Sequence, residues 1–168
     1  MSGKIVSAIK TKIGSEAELT ADNLHEIFEY RDGDLYWKAS KAGTIAGGGY
    51  YQTGIQGKYF KNHRLIFLMH HGYLPDLIDH IDGNRLNNRI ENLRPATRSQ
   101  NSFNSIKPKS NKSGIKGVSW INKFKKYRAR LYANKKTYEL GYFTNLKDAE
   151  KAINEAREKH HGNFANKG

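Results

Sequence analysis

The 168-residue chain contains no cysteine, which excludes disulfides and any Cys-ligated structural zinc. Long apolar runs are missing as well. The longest, Leu65–Met69, is far too short to span a bilayer, and no signal peptide is apparent at the start. The chain therefore reads as soluble and cytoplasmic, with no membrane partner. Carboxylates are in short supply: 16 Asp+Glu face 29 Lys+Arg, for a net charge of +13 and a pI near 9.8. Such an excess favours an anionic partner, with nucleic acid first. No long basic amphipathic helix turns that charge toward a membrane surface. A basic surface with no specific partner is the plain alternative.

What is present falls into regions. Thr20 opens a short helix with Leu24, Ile27 and Phe28 on one side. Gly33 marks a hairpin between Glu29-Tyr30 and Leu35-Tyr36-Trp37, and Gly43–Gly49 reads as a turn rather than a phosphate loop. A second hairpin is expected from Tyr50–Ile55 and Tyr59–Asn62, followed by an apolar helix from about Asn62 to His71 with Gly72 as its stop. Residues 107–112 have the composition of a basic linker. Beyond it, three strands (about 117–121, 128–133 and 136–143) precede a helix from about Leu146 to Lys159, with Asn145 as N-cap. The expected architecture is α+β in two domains, 1–106 and 113–168.

The chemistry concentrates between Leu77 and Asn104. Leu77-Ile78 reads as a strand running into Asp79-His80, Asp82-Gly83-Asn84 forces a turn, and Glu91–Ala96 returns as a second short strand. Thr97-x-x-Gln100 is a capping box that starts a helix. A strand–turn–strand–helix unit of this kind points Asp79, His80 and Asn101 toward one place. Asp79 and Asn101 offer oxygen ligands to a hard cation such as Mg²⁺ or Mn²⁺, which would polarise a phosphodiester. His80 is placed to take a proton from attacking water. A capped surface loop is the competing reading of the same residues.

The segment His63-Arg64-Leu65-Ile66, then Ile78-Asp79-His80-Ile81-Asp82-Gly83-Asn84, Asn87-Asn88 and Glu91-Asn92-Leu93-Arg94 resembles the HNH endonucleases, in particular the phage and intron-encoded homing enzymes. The resemblance implies a ββα-metal core at about 76–106. His80 would be the general base, Asn92 the residue that pins the ββ loop, and Asp79 a metal ligand. The third motif position, often His, is Asn101 here, as in the H-N-N subset, with the neighbouring Asn104 as the alternative ligand. His63 reads as structural or phosphate-contacting rather than as a second base. Arg64, Arg94 and Asn104 are expected to meet DNA.

Residues 113–166 resemble a different family, the ethylene-response-factor (APETALA-type) DNA-binding domain. The resemblance rests on Gly117-Val118, Tyr127–Leu131, Leu140–Thr144 and Gly162–Asn166. Alternation places Val118, Trp120, Ala129, Leu131, Tyr138 and Leu140 against the Ala-rich helix, leaving Ser119, Ile121, Arg128, Arg130, Tyr132, Thr137 and Glu139 on the open face. Residues 113–168 hold 13 Lys+Arg against 5 Asp+Glu, a net of +8. The expected DNA contacts are Lys123, Arg128, Arg130, Tyr132, Lys135 and Lys136. Several of the family's base-reading Arg and Trp positions are Ser, Ile, Thr or Glu here. The expectation is a metal-dependent nuclease acting on double-stranded DNA, as a monomer. The rivals are a non-enzymatic DNA-binding or transcription protein and an RNA-binding module. The latter lacks the aromatic stacking motif of RNA-recognition sheets.

Overall fold

Thr20 accepts a hydrogen bond from the Asn23 amide while the Asn23 side chain accepts from the Thr20 amide, a reciprocal cap that starts α1 (Ala21–Ile27). The computed structural model describes residues 15–37, 40–105 and 111–165, and the chain divides into two units, Met1–Pro95 and Ala96–Gly168. Among the described residues no helix is long and apolar enough to cross a membrane.

The N-terminal unit is built on α2 (Asn62–His71), whose Leu65, Ile66, Phe67, Leu68 and Met69 are all buried. A helix apolar around most of its circumference must be covered on several sides. Leu24 and Ile27 of α1, and Leu35, Ile55, Phe60, Ile78 and Leu93 of the surrounding strands, complete this core. Three small antiparallel sheets supply them: β1 (Glu29–Arg31), β2 (Asp34–Trp37) and β3 (Ser40–Lys41); β4 (Thr44–Ala46), β5 (Tyr50–Ile55) and β6 (Lys58–Lys61); and the ribbon of β7 (Ile78–His80) with β8 (Leu93–Pro95). Thr44–Ala46 is a strand, so the expected Gly43–Gly49 turn narrows to Gly47–Gly49. The helix ends where Gly72 turns left-handed at φ 73°, and its N–H closes on Leu68 O.

The first hairpin buttresses the loop that follows β7. Gly33 has φ 92°, and a Cβ there would meet Arg89 N at 2.9 Å, so only glycine fits both the turn and the close approach. Tyr30 OH accepts from the Ile90 amide at 3.0 Å.

In the C-terminal unit, α4 (Leu146–His161) covers one face of a sheet ordered β11 (Lys136–Phe143), β10 (Lys126–Ala133), β9 (Val118–Ile121). Val118, Ala129, Leu131, Ala133, Ala149, Ile153 and Ala156 form its core. A bulge between Ala129 and Arg130 shifts the β10–β11 register. Trp120 departs from the alternation-based expectation. It is 42% exposed, edge-on to Tyr127 with its Nε1 donating to Asn122 Oδ1, and takes no part in the buried core. Tyr138 is half-buried and stacks on His160.

Helix α3 (Arg98–Phe103) folds as part of this second unit. Thr97 and Gln100 form the expected capping box. Phe103 is buried in the C-terminal core, stacked on His161 with centroids 3.9 Å apart and planes 6° apart. Lys116 Nζ donates to the carbonyls of Phe103 and Ser105 at the helix end. The units therefore divide ahead of the boundary expected at residue 106. Most of the expected linker, 107–110, lies outside the described residues.

Candidate active site

Asp79 and His80 are consecutive on β7, so the pleat sends their side chains to opposite faces. Both are buried. Asp79 faces Arg94 across the β7–β8 ribbon, where the guanidinium holds its Oδ2 from Nε at 2.9 Å and from Nη2 at 2.8 Å.

His80 Nε2 lies 3.0 Å from Asn88 Oδ1. An amide oxygen only accepts, so Nε2 carries the proton and donates, and in the neutral ring Nδ1 holds the lone pair. Burial holds His80 below the ordinary histidine value. The Asn88 bond, Asp82 and Asp79 pull the other way, and Arg85 adds to the lowering. The ring is thus neutral near pH 7, as a proton acceptor must be.

The loop that carries Asn88 is tied down by Asn92. The Asn92 amide donates to Asp82 Oδ1 at 2.9 Å and to Asn87 O at 2.8 Å, and accepts from the Asp82 N–H at 3.0 Å. Asp82 also accepts from the Asn84 N–H and from Asn87 Nδ2. Partial burial raises the Asp82 carboxyl, but these hydrogen bonds outweigh it and leave Asp82 below the usual carboxylate range. The Asp-Gly-Asn turn is therefore fixed by side chains of its own sequence neighbourhood.

Sequence reasoning missed part of the surroundings. Asn88 is buried against His80, and only its place in an Asn-Asn doublet hinted at it. The His63 ring meets His80 edge-on at 5.0 Å and Tyr50 at 5.2 Å, and Tyr50 is 6.1 Å from His80. His63 is pushed down to about 3 by burial first, with His80, Lys61 and Arg64 adding to it, so it is neutral and brings no charge to a phosphate. No local signal in the sequence links Tyr50 to this place.

The remaining expected residues fall as follows. Asn101 is exposed on α3 in the C-terminal unit, whereas Asn104 is buried at that helix's C-cap, which does not suit its expected role on DNA. Arg64 is engaged by Glu16 and by the carbonyls of Pro75 and Asp76, and Arg94 by Asp79. Both guanidiniums are committed within the protein rather than open to DNA. On the sheet, Arg130, Tyr132, Lys135 and Lys136 are exposed, as is Lys123 in the turn before β10. Arg128 is locked to Glu139 through two hydrogen bonds.

Among the described residues no three His, Asp or Glu side chains form a metal cluster. The Asp79 carboxylate beside His80 is the kind of donor a hard divalent cation takes, and the chain has no cysteine to offer zinc a thiolate.

Comparison with known proteins bears on this arrangement. The family described as "HNH endonuclease" matches residues 60–103, a span that ends before the three-stranded C-terminal sheet. "Protein 3.8" of Escherichia phage T7 is 41% identical over 88 residues, covering 52% of this chain and 72% of that protein. "Uncharacterized HNH endonuclease L560" of Acanthamoeba polyphaga mimivirus is 39% identical over 106 residues, covering 61% of this chain. The chain spans about half, 54%, of the mimivirus protein's length. No solved structure matches. On these similarities residues 60–103 of the chain carry an HNH endonuclease domain.

Proposed function

We propose that the chain is a divalent-metal-dependent endonuclease that hydrolyses phosphodiester bonds in double-stranded DNA, of the site-preferring homing type. The observation that carries this reading is His80: buried and neutral, fixed through Nε2 on Asn88, and adjacent in sequence to the Asp79 carboxylate. His80 Nδ1 takes the proton from the attacking water, and the Asn88 bond keeps the ring from turning away. Asn92 holds the loop that presents Asn88. Asp79 and Asn101 supply oxygen ligands, and Arg94 orients the Asp79 carboxylate. A bound Mg²⁺ or Mn²⁺ would act as the Lewis acid that stabilises the leaving oxygen. The expected products carry a 5′-phosphate and a 3′-hydroxyl.

The C-terminal unit serves as the DNA-binding module, with the ethylene-response-factor-like sheet presenting Arg130 and Tyr132 and the turns presenting Lys123, Lys135 and Lys136. Asn134 and Lys135 both adopt positive φ, 50° and 62°, a tight turn that leaves both side chains exposed. Arg128 is held by Glu139 through two hydrogen bonds and would have to leave that carboxylate to contact DNA.

Incubation of plasmid with the protein and Mg²⁺, with and without chelator, tests the reading. His80→Ala should lose about 10²–10⁴-fold in cleavage rate, the usual cost of removing a general base, with DNA affinity retained. Cleavage in chelator, or near-normal turnover by the variant, would refute it.

A further inference from the structure

The N-terminal unit contains five arginines, and four of them are neutralised: Arg31 by Glu29, Arg64 by Glu16, Arg89 by Asp32 and Arg94 by Asp79. Arg85 is the exception. Its guanidinium carbon lies 5.2 Å from the centre of the Tyr50 ring, and its Nη1 donates to Gly48 O at 3.0 Å. Lys61 Nζ lies 4.5 Å from the centre of the same ring. Neither cation has a carboxylate within ion-pair distance among the described residues.

These two charges lie close to the candidate base. The Tyr50 ring that collects them packs on His63 and lies 6.1 Å from His80. Lys61 and Arg85 are both exposed, so their N–H groups remain open to solvent and to a ligand. An aromatic face attracts a cation without neutralising it. It therefore holds a long side chain in place while leaving its charge available, which a carboxylate does not. A unit that neutralises its other arginines but gathers two uncompensated cations on one ring beside His80 is suited to an anion arriving there. Arginine can grip a phosphate through two parallel N–H···O bonds, and lysine supplies a compact point charge.

We propose that Tyr50, Lys61 and Arg85 form a phosphodiester subsite that holds the cleaved strand of DNA against His80. Lys61 and Arg85 contact phosphates flanking the scissile one, and Tyr50 is the platform that orders them. The proposal deepens the nuclease reading and rests on it. Lys61 and Arg85 are thus substrate-binding residues, and Tyr50 is a positioning residue that acts through them.

The test uses the full chain and a short fluorescein-labelled duplex. Binding is measured in chelator, where no cleavage occurs, across a series of NaCl concentrations. Each lost phosphate contact lowers the slope of log affinity against log salt by about 0.9. The Lys61→Ala/Arg85→Ala double variant should therefore lose about 1.8 from that slope on the same counterion argument. The charge-retaining pair Lys61→Arg/Arg85→Lys should recover most of it. Tyr50→Phe should keep the wild-type slope, and Tyr50→Leu should lose part of it. In Mg²⁺, the alanine pair should raise KM by more than it lowers kcat. A wild-type slope in the alanine pair, with folding confirmed by thermal melting, would overturn the proposal. So would a charge-retaining pair that behaves like the alanine pair. A wild-type chain that cleaves nothing would instead overturn the nuclease reading, while the salt slope still decides whether these residues hold phosphate.

Discussion

Asn92→Ala removes the hinge pin of the Asp82–Asn88 loop, and its effect can be worked out from three contacts. The side chain makes two bonds with backbone groups, at 2.8 and 3.0 Å, and one with the Asp82 carboxylate, at 2.9 Å. Neutral bonds contribute about 1 kcal/mol each and a bond to a charged group about 1.5–3 kcal/mol. Asp82 is exposed, so the lower figure applies, and the whole loss is about 3.5 kcal/mol. Trp37 packs against the N-terminal core and Trp120 lies in the other unit. In a Trp120→Phe background, urea unfolding followed by fluorescence therefore reads the N-terminal unit alone. The same substitution should lower kcat about 10²-fold, because loosening the loop frees Asn88 and with it the His80 ring, and small misplacements of reacting groups have costs of that order. Asn92→Asp sets a second carboxylate against Asp82. It should be at least as unstable at neutral pH and regain stability as the pH falls and one of the two takes a proton. An Asn92→Ala chain with an unchanged urea midpoint would refute this account of the loop, whatever its activity.

Other expectations follow from the same geometry. His63 has a folded-state pKa of about 3 against an ordinary 6.5. As the pH falls below 6.5 the unfolded chain takes up this proton first, so stability is lost progressively toward pH 3, by at most about 5 kcal/mol at about 1.36 kcal/mol per unit. His63→Phe keeps the ring packing and removes the proton site, so acid unfolding followed by circular dichroism should shift to lower pH; an unmoved midpoint contradicts the burial argument. Asn101→Ala should weaken Mn²⁺ binding measured by calorimetry while leaving DNA affinity in chelator intact, and retained Mn²⁺ affinity would take Asn101 out of the ligand set. Truncation after Ile106 should abolish cleavage even at saturating enzyme, because α3 spans six residues and so short a helix does not persist in water without a core. Full-rate cutting by the truncated chain would show that α3 needs none of its C-terminal packing.

Much of the candidate site was legible because it is local. The Asp-Gly-Asn turn and the Thr97 and Asn145 caps are hydrogen bonds between residues close in sequence, and residue type largely decides such contacts, whereas the Asn92 tie to Asp82 spans ten residues and was expected only from the family resemblance. The helix boundaries of α2 and the hairpin at Gly33 were readable for the same reason. Tyr50, His63 and His80 meet only through the packing of β5, α2 and β7, and no periodicity encodes a meeting of three elements. The ion pairs that occupy Arg64 and Arg94 were equally hidden. A basic residue in a basic motif reads the same in a sequence whether or not a carboxylate from elsewhere meets it.

The allegiance of α3 shows where pattern reading reaches its limit. A Thr-x-x-Gln box states where a helix begins and Phe103 states that one face is apolar, but neither says which core receives that face. The strand–turn–strand–helix order assigned it to the nuclease half. In the structure, Phe103 is buried on His161, and Lys116 satisfies the carbonyls at the helix end. The proposed ligand Asn101 thus rides on an element whose fold the C-terminal unit maintains. Substitutions at Phe103 or His161, made deep in what looks like a DNA-binding module, are therefore expected to act on the nuclease through Asn101, and not through DNA affinity alone.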